Sequence, residues 1–108
     1  MIDWDRLTAL RADIGDDDFA DVATLFVAEI QEKLDRLAVA PDQAVPADFH
    51  FLRGSAANLG FRALAQACSD AELAMTGGQP PDIAAIAALF QASVAALTPQ
   101  LPHLTAMA

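Results

Sequence analysis

The stretch FHFLRGSAANLGF, residues 49–61, decides how this chain is read. Stepped at about 100° per residue, Phe49, Leu52, Ala56 and Leu59 fall in one sector. That spacing is the signature of an amphipathic helix, and the sector is its core face. His50 and Gly54 fall roughly opposite, with Ala57 and Asn58 beside them. Arg53 lies on one flank between the core and the histidine, and Phe51 lies partly exposed on the other. Ser55 turns toward the core, where it serves packing or a backbone hydrogen bond. A glycine inside a helix costs roughly 1 kcal/mol relative to alanine. Gly54, one turn beyond an outward histidine, therefore has a reason to be there: it clears the approach to the ring, or it lets a neighbouring helix pack closely.

The segments around this helix repeat its pattern. Trp4, Leu7, Leu10 and Ile14 mark a short amphipathic helix that Gly15 ends. The run Asp16, Asp17, Asp18 is placed to cap the next helix and suits the positive end of its dipole. That helix runs from about Asp17 to Ala38, with Phe19, Val22, Ala23, Phe26, Ile30, Leu34 and Leu37 as its apolar stripe. Its outer face carries Asp21, Ala28, Glu32 and Asp35, and Leu25 falls among them. APDQAVPAD is a loop, with Pro46 in the first turn of the helix bearing His50. After Gly60, a further stripe of Phe61, Leu64, Ala65, Cys68, Ala71 and Met75 marks the fourth helix. TGGQPPD stops it, and Asp82 starts the last. The uncharged run from Ile83 onward is alanine-rich, holds Gln91 and Ser93 and meets Pro99 and Pro102, so it reads as a bundle helix rather than a membrane span.

Short connections between amphipathic helices imply antiparallel neighbours. The expected fold is all-α: an up-and-down antiparallel four-helix bundle with an additional short N-terminal helix. It forms one domain over residues 1–108, with about 99–108 as a loose C-terminal tail. The composition agrees: 55% of the residues are hydrophobic, enough for a packed core. The formal charge of −9 excludes a general basic field for nucleic acid or an anionic membrane. Cys68 is the only cysteine, which excludes an internal disulfide and fits a reducing, cytoplasmic compartment. The N-terminus MIDWDRL has neither the basic nor the apolar region of a signal peptide.

The outward face of the histidine helix suits one chemistry. A neutral imidazole is a good nucleophile, and histidine's reference pKa of about 6.5 leaves it mostly neutral near pH 7. Glycine beside it removes bulk, and an arginine three residues on can reach an anion held on the ring. Such a contact at 4 Å is worth about 1 kcal/mol in water and about 4 at an intermediate dielectric. These features suit a site where a phosphoryl group is received and passed on; the other reading of the same residues is a solvated histidine, a glycine that permits helix packing and an arginine that is a surface charge.

The string HFLRGSAANLGFRALAQAC also resembles the signature of histidine-containing phosphotransfer (HPt) domains, carried here by His50, Arg53, Gly54, Ser55, Leu59, Gly60 and Cys68. IGDDDF and LFVAEIQEKLDRL upstream are similar to the family's habit, so the resemblance covers about residues 2–76, and the last helix agrees in pattern alone. Arg53 stands where lysine is commoner, which keeps the charge but presents a planar fork. Ala71 stands where a leucine often follows the cysteine, a change of core volume. The resemblance implies a phosphorelay intermediate without a nucleotide site or autokinase activity. His50 would take a phosphoryl group from a receiver-domain aspartate and give it to another receiver. Arg53 would stabilise the phosphate, Gly54 and Ala57 would leave access, Asn58 would orient the ring or water, and Phe51 and Leu25 would dock the partner. The chain would need no cofactor of its own; Mg²⁺ is expected in the partner receiver. It would act as a monomer on receivers of response regulators or hybrid kinases.

Other classes meet difficulties. A metal-carboxylate bundle needs Glu-x-x-His pairs facing inward, and neither His50 nor His103 has a glutamate three residues before it. A DNA-binding helix pair conflicts with the acidic balance. The alternative that stands is a non-catalytic helical protein-binding module, with Phe51 and Leu25 as its interface.

Overall fold

A computed structural model describes residues 2–99. Its helices are α1 (Trp4–Ile14), α2 (Asp16–Val39), α3 (Pro46–Asn58), α4 (Arg62–Thr76) and α5 (Ile83–Leu97), and the described residues form no strand beyond an isolated bridge. The expected tail beyond Pro99, with His103, lies outside the described residues. The helices pack as α2 on α3, α3 on α4, α4 on α5 and α5 back on α2, with α1 against α2. Among the described residues no helix is long and apolar enough to cross a membrane.

The core is the sum of the stripes. Phe49, Leu52, Ala56 and Leu59 of the α3 segment are completely buried, as are Phe61, Leu64 and Cys68 at the start of and along α4. Ile86, Phe90 and Leu97 add the face of α5. The Asp82 side chain accepts a bond from the Ala85 N–H and caps this last helix as its sequence suggests. Burial pushes the Cys68 thiol up to about 12, so it packs as a small apolar residue.

Four expectations need correction. Trp4 is 47% exposed. It is the first residue of α1 and lies ahead of Leu7, the one α1 residue that is fully buried. On α2 the buried seam runs Phe19, Ala23, Val27, Ile30, Leu34, Leu37, so Val27 replaces Phe26 and Val22, which are half-buried flanks. A helix touched by α1, α3 and α5 is covered from several sides, and a single-stripe wheel underestimates that. The acidic run does not cap α2, because Gly15 takes that position at φ 83° and Asp17 and Asp18 fall in the first turn. The loop before α3 holds a 3₁₀ turn, Pro41–Gln43, and buries Ala44.

The α3–α4 turn is built tightly. The Gly60 N–H reaches the Ala57 carbonyl at 3.0 Å and the Phe61 N–H reaches Ala56 at 2.8 Å, which is a Schellman ending with Gly60 at φ 70°. The N-terminal segment closes over it. Asp3 N–H donates to the Gly60 carbonyl at 2.6 Å, and Ile2 bridges Phe61. A β-carbon on Gly60 would lie 2.7 Å from the Asp3 carbonyl oxygen. Gly60→Ala is therefore expected to lose about 2 kcal/mol, from the left-handed backbone and the contact together. Urea unfolding measures this, and unchanged stability would show that the N-terminal segment does not hold the turn.

Candidate functional site

Helix α3 is positioned before it carries anything. Pro46 opens it, and the Asp48 carboxylate reaches back to the Val45 N–H at 2.9 Å while Asp48 N–H bonds the Val45 carbonyl at 3.0 Å. This is half a capping box, since Val45 has no polar side chain to complete it. Asp48 also pairs with Lys33 of α2 at 2.9 Å. The Lys33 ammonium stands 5.4 Å from the centroid of Phe51, a cation–π contact that ties Phe51 to α2. Phe51 remains 40% exposed and edges a shallow groove of about 250 Å³ with Glu29, Glu32 and Arg36. Leu25, 57% exposed, lies one turn before Glu29 on the same helix, so the two predicted docking residues border one face.

His50 leaves the side of the helix away from the buried Phe49 and Leu52, its side chain 65% accessible. Gly54 and Ala57 continue its face, both exposed, and beyond its chain neighbours and the backbone of its own helix no atom lies within 4 Å of where a Gly54 β-carbon would stand. Packing therefore does not account for this glycine. Arg53 Nη2 is 2.8 Å from His50 Nδ1. A guanidinium only donates, so this bond requires a bare lone pair on Nδ1. Arg53 also lines a cleft of about 360 Å³ with Arg62, Gln66 and Ser69.

The structure adds one residue and redirects another. Helix α4 returns along α3 and brings Glu72 Oε2 to 3.6 Å from the same Nδ1. Spacing along the histidine's own helix does not show it, because it lies on α4. The signal was available: about ten residues lie between His50 and Gly60 and about twelve between Gly60 and Glu72, so a helix folding back at the glycine carries Glu72 to that level. Asn58, expected to orient the ring or water, instead accepts from Arg6 Nη2 of α1 at 3.1 Å. Ser55 is buried on the core side, as its wheel position indicates. Among the described residues, no three of His, Cys, Asp and Glu gather as a metal-holding group.

Burial pushes the Asp48 carboxyl upward, but the Val45 N–H, the Lys33 ammonium and Arg36 outweigh it and hold it below the ordinary aspartate value. Its stabilisation is thus full above the unfolded value near 3.9 and is lost as pH falls through the lower folded value. Asp48→Asn should cost about 1 kcal/mol at neutral pH, and the gap to wild type should close in acid below pH ~4. Unfolding curves at several pH values check both parts; a gap that persists undiminished into acid contradicts the pairing.

Residues 21–100 match the family model described as Hpt domain. No curated protein and no solved structure matches the chain. The match begins inside α2 and runs through α5, so it takes in the last helix, which agrees with the resemblance in pattern alone, and omits α1.

Proposed function

The chain belongs to the Hpt domain family, and we propose on that footing that His50 is its phosphoryl carrier, loaded from a receiver-domain aspartate and discharged to another receiver. The family is one of histidine phosphotransfer. The observation that carries the assignment to His50 is its surrounding: an exposed ring on a face cleared by Gly54, with the Arg53 guanidinium 2.8 Å from Nδ1. The closed sequence of helix contacts supports reading α2 to α5 as the up-and-down bundle, with α1 laid outside it.

Since Arg53 and Glu72 both stand at Nδ1, Nε2 is the nitrogen left to react. In the transfer, the Nε2 lone pair attacks phosphorus, the P–N bond forms and the bond to the aspartyl oxygen breaks, its electron pair staying on the carboxylate. Phosphoryl transfer asks chiefly for alignment and for cations around the equatorial oxygens. This chain supplies Arg53; in this reading the receiver supplies the Mg²⁺ and the remaining groups, and the chain needs no autokinase machinery. Receivers dock over His50, Gly54 and Ala57, with Phe51 and Leu25 at the edge, an area suited to transient signalling contacts.

His50→Gln should fold normally, because the side chain makes no core contact, and should take no phosphate from a phosphorylated receiver or from phosphoramidate. Acid-labile label on that variant would move the site elsewhere, and a wild-type protein that takes no label from either donor would leave the non-catalytic binding module as the function.

Gly54→Gln separates access from packing. Its melting temperature should hold or rise, since glycine is the poorer helix former by up to about 1 kcal/mol. Receiver-dependent transfer should slow, while labelling by phosphoramidate, a smaller donor, should suffer less. A variant that loses stability yet transfers normally would assign the glycine to packing.

A further inference from the structure

Positive charge is scarce on this chain, 6 Lys and Arg against 15 acids, and half of those bases stand around one cleft. Arg53 and Arg62 line the opening of about 360 Å³ between α3 and α4, with Gln66 and Ser69. Arg6 bonds Asn58, the neighbour of the lining residue Ala57. The cleft also shows which chemistry suits it, because it already holds a carboxylate. Asp3 Oδ2 lies 3.1 Å from Arg62 Nη2, and Asp3 is part of the lining. A guanidinium carries five N–H donors in a planar fork. Arg62 spends only part of its fork on Asp3, its side chain being 73% exposed, and Arg53 spends one bond on the His50 ring. Two cations and one resident anion leave the cleft positive on a chain whose formal charge is −9.

We propose that this cleft selects the partner: it takes an aspartate or glutamate side chain of the docked receiver on Arg62, and Asp3 competes with that side chain for the same guanidinium. The assignment rests on the phosphotransfer reading of His50. A receiver seated over Gly54 and Ala57 meets the cleft, because Ala57 belongs both to the histidine's face and to the lining. The acidic remainder of the chain repels an acidic side chain, so a contact here fixes the partner's orientation as well as attracting it. Asp3 sets the threshold. The Arg6 N–H and Arg62 hold its carboxyl below the usual carboxylate range, so it stays a charged competitor at neutral pH. A receiver with no acid at the matching position leaves Arg62 with Asp3 and gains nothing from the cleft. One with an acid there displaces Asp3 from Arg62, while the Asp3 main chain keeps its bond to Gly60.

Titration of the full chain with a receiver that phosphorylates His50 tests the competition. Arg62→Gln should raise Kd about threefold, the scale of an exposed ion pair, and Arg62→Glu should raise it further. Asp3→Asn should lower Kd about twofold, since asparagine caps α1 as well as aspartate but no longer holds Arg62 by charge. In the Arg62→Gln background, Asp3→Asn should change nothing. At about 1 M salt the four proteins, wild type, Arg62→Gln, Asp3→Asn and the double variant, should bind alike. Neutralising the receiver's acids one at a time should find one whose loss weakens docking to wild type but not to Arg62→Gln. Asp3→Asn that docks no better than wild type, or an Arg62→Gln effect that survives high salt, overturns the contact even though the receiver phosphorylates His50. Succinate that shifts the Arg62 Nε resonance of the free protein at micromolar concentration would give the cleft to a small dicarboxylate and overturn the partner's side chain as its occupant. A wild-type protein phosphorylated by no receiver overturns the phosphotransfer reading, and this contact with it.

Discussion

Everything about this site follows from one buried face. Phe49, Leu52, Ala56 and Leu59 are wholly removed from solvent, and burying side chains of the larger kinds contributes about 1.5–3 kcal/mol each. Turning α3 to bring His50 inward would expose them, a cost comparable with the entire stability of a small domain. The outward pose of the histidine is therefore fixed by residues that do no chemistry. The same rotation sets Gly54 and Ala57 beside it and carries Phe51 toward Lys33.

The second constraint is the turn at Gly60, which sets where α4 leaves and hence where Glu72 arrives. The main-chain bond from Asp3 and the Schellman pair fix that departure. The Arg62–Asp3 and Arg6–Asn58 contacts add to it from exposed side chains, and such contacts contribute little individually. The Arg6 N–H first, and Arg62 next, hold the Asp3 carboxyl below the usual carboxylate range, so it remains an acceptor through neutral pH. The family match begins at Asp21. The N-terminal strap is thus an addition outside the matched region that acts on the turn next to the site.

Much of this was legible in the sequence because helical periodicity is a local property. The outward His50, the inward Ser55, buried Cys68 and the Asp82 cap all follow from counting residues along one helix. What failed to show was set by two helices at once. Glu72 borders a core stripe on its own wheel and acquires meaning only when α4 lies along α3. Asn58 shares the histidine's side of α3, yet its partner is Arg6, far away in the chain. Val27 is buried because α2 has several neighbours, and Trp4 is exposed because its helix begins there. Spacing within a helix ranks faces, and the packing of neighbours decides which borderline residues are covered.

The polar surroundings of His50 are sparse, and on the proposed reading sparseness suits a carrier. A group that must be accepted and then released cannot be held strongly, since binding the phosphorylated state tightly would strand it. One exposed cation at hydrogen-bond range contributes on the order of 1 kcal/mol in water and more when a partner covers it and lowers the local dielectric. In the proposed reading Arg53 has that dependence: its contact is weak in the open protein and stronger under a docked receiver. The ring's environment then changes most when a partner is bound, which is when transfer has to occur. A buried histidine with a fixed carboxylate partner would react no less readily, but no receiver could reach it. Exposure of the ring and one cation at hydrogen-bond distance are what the proposed carrier asks of this face.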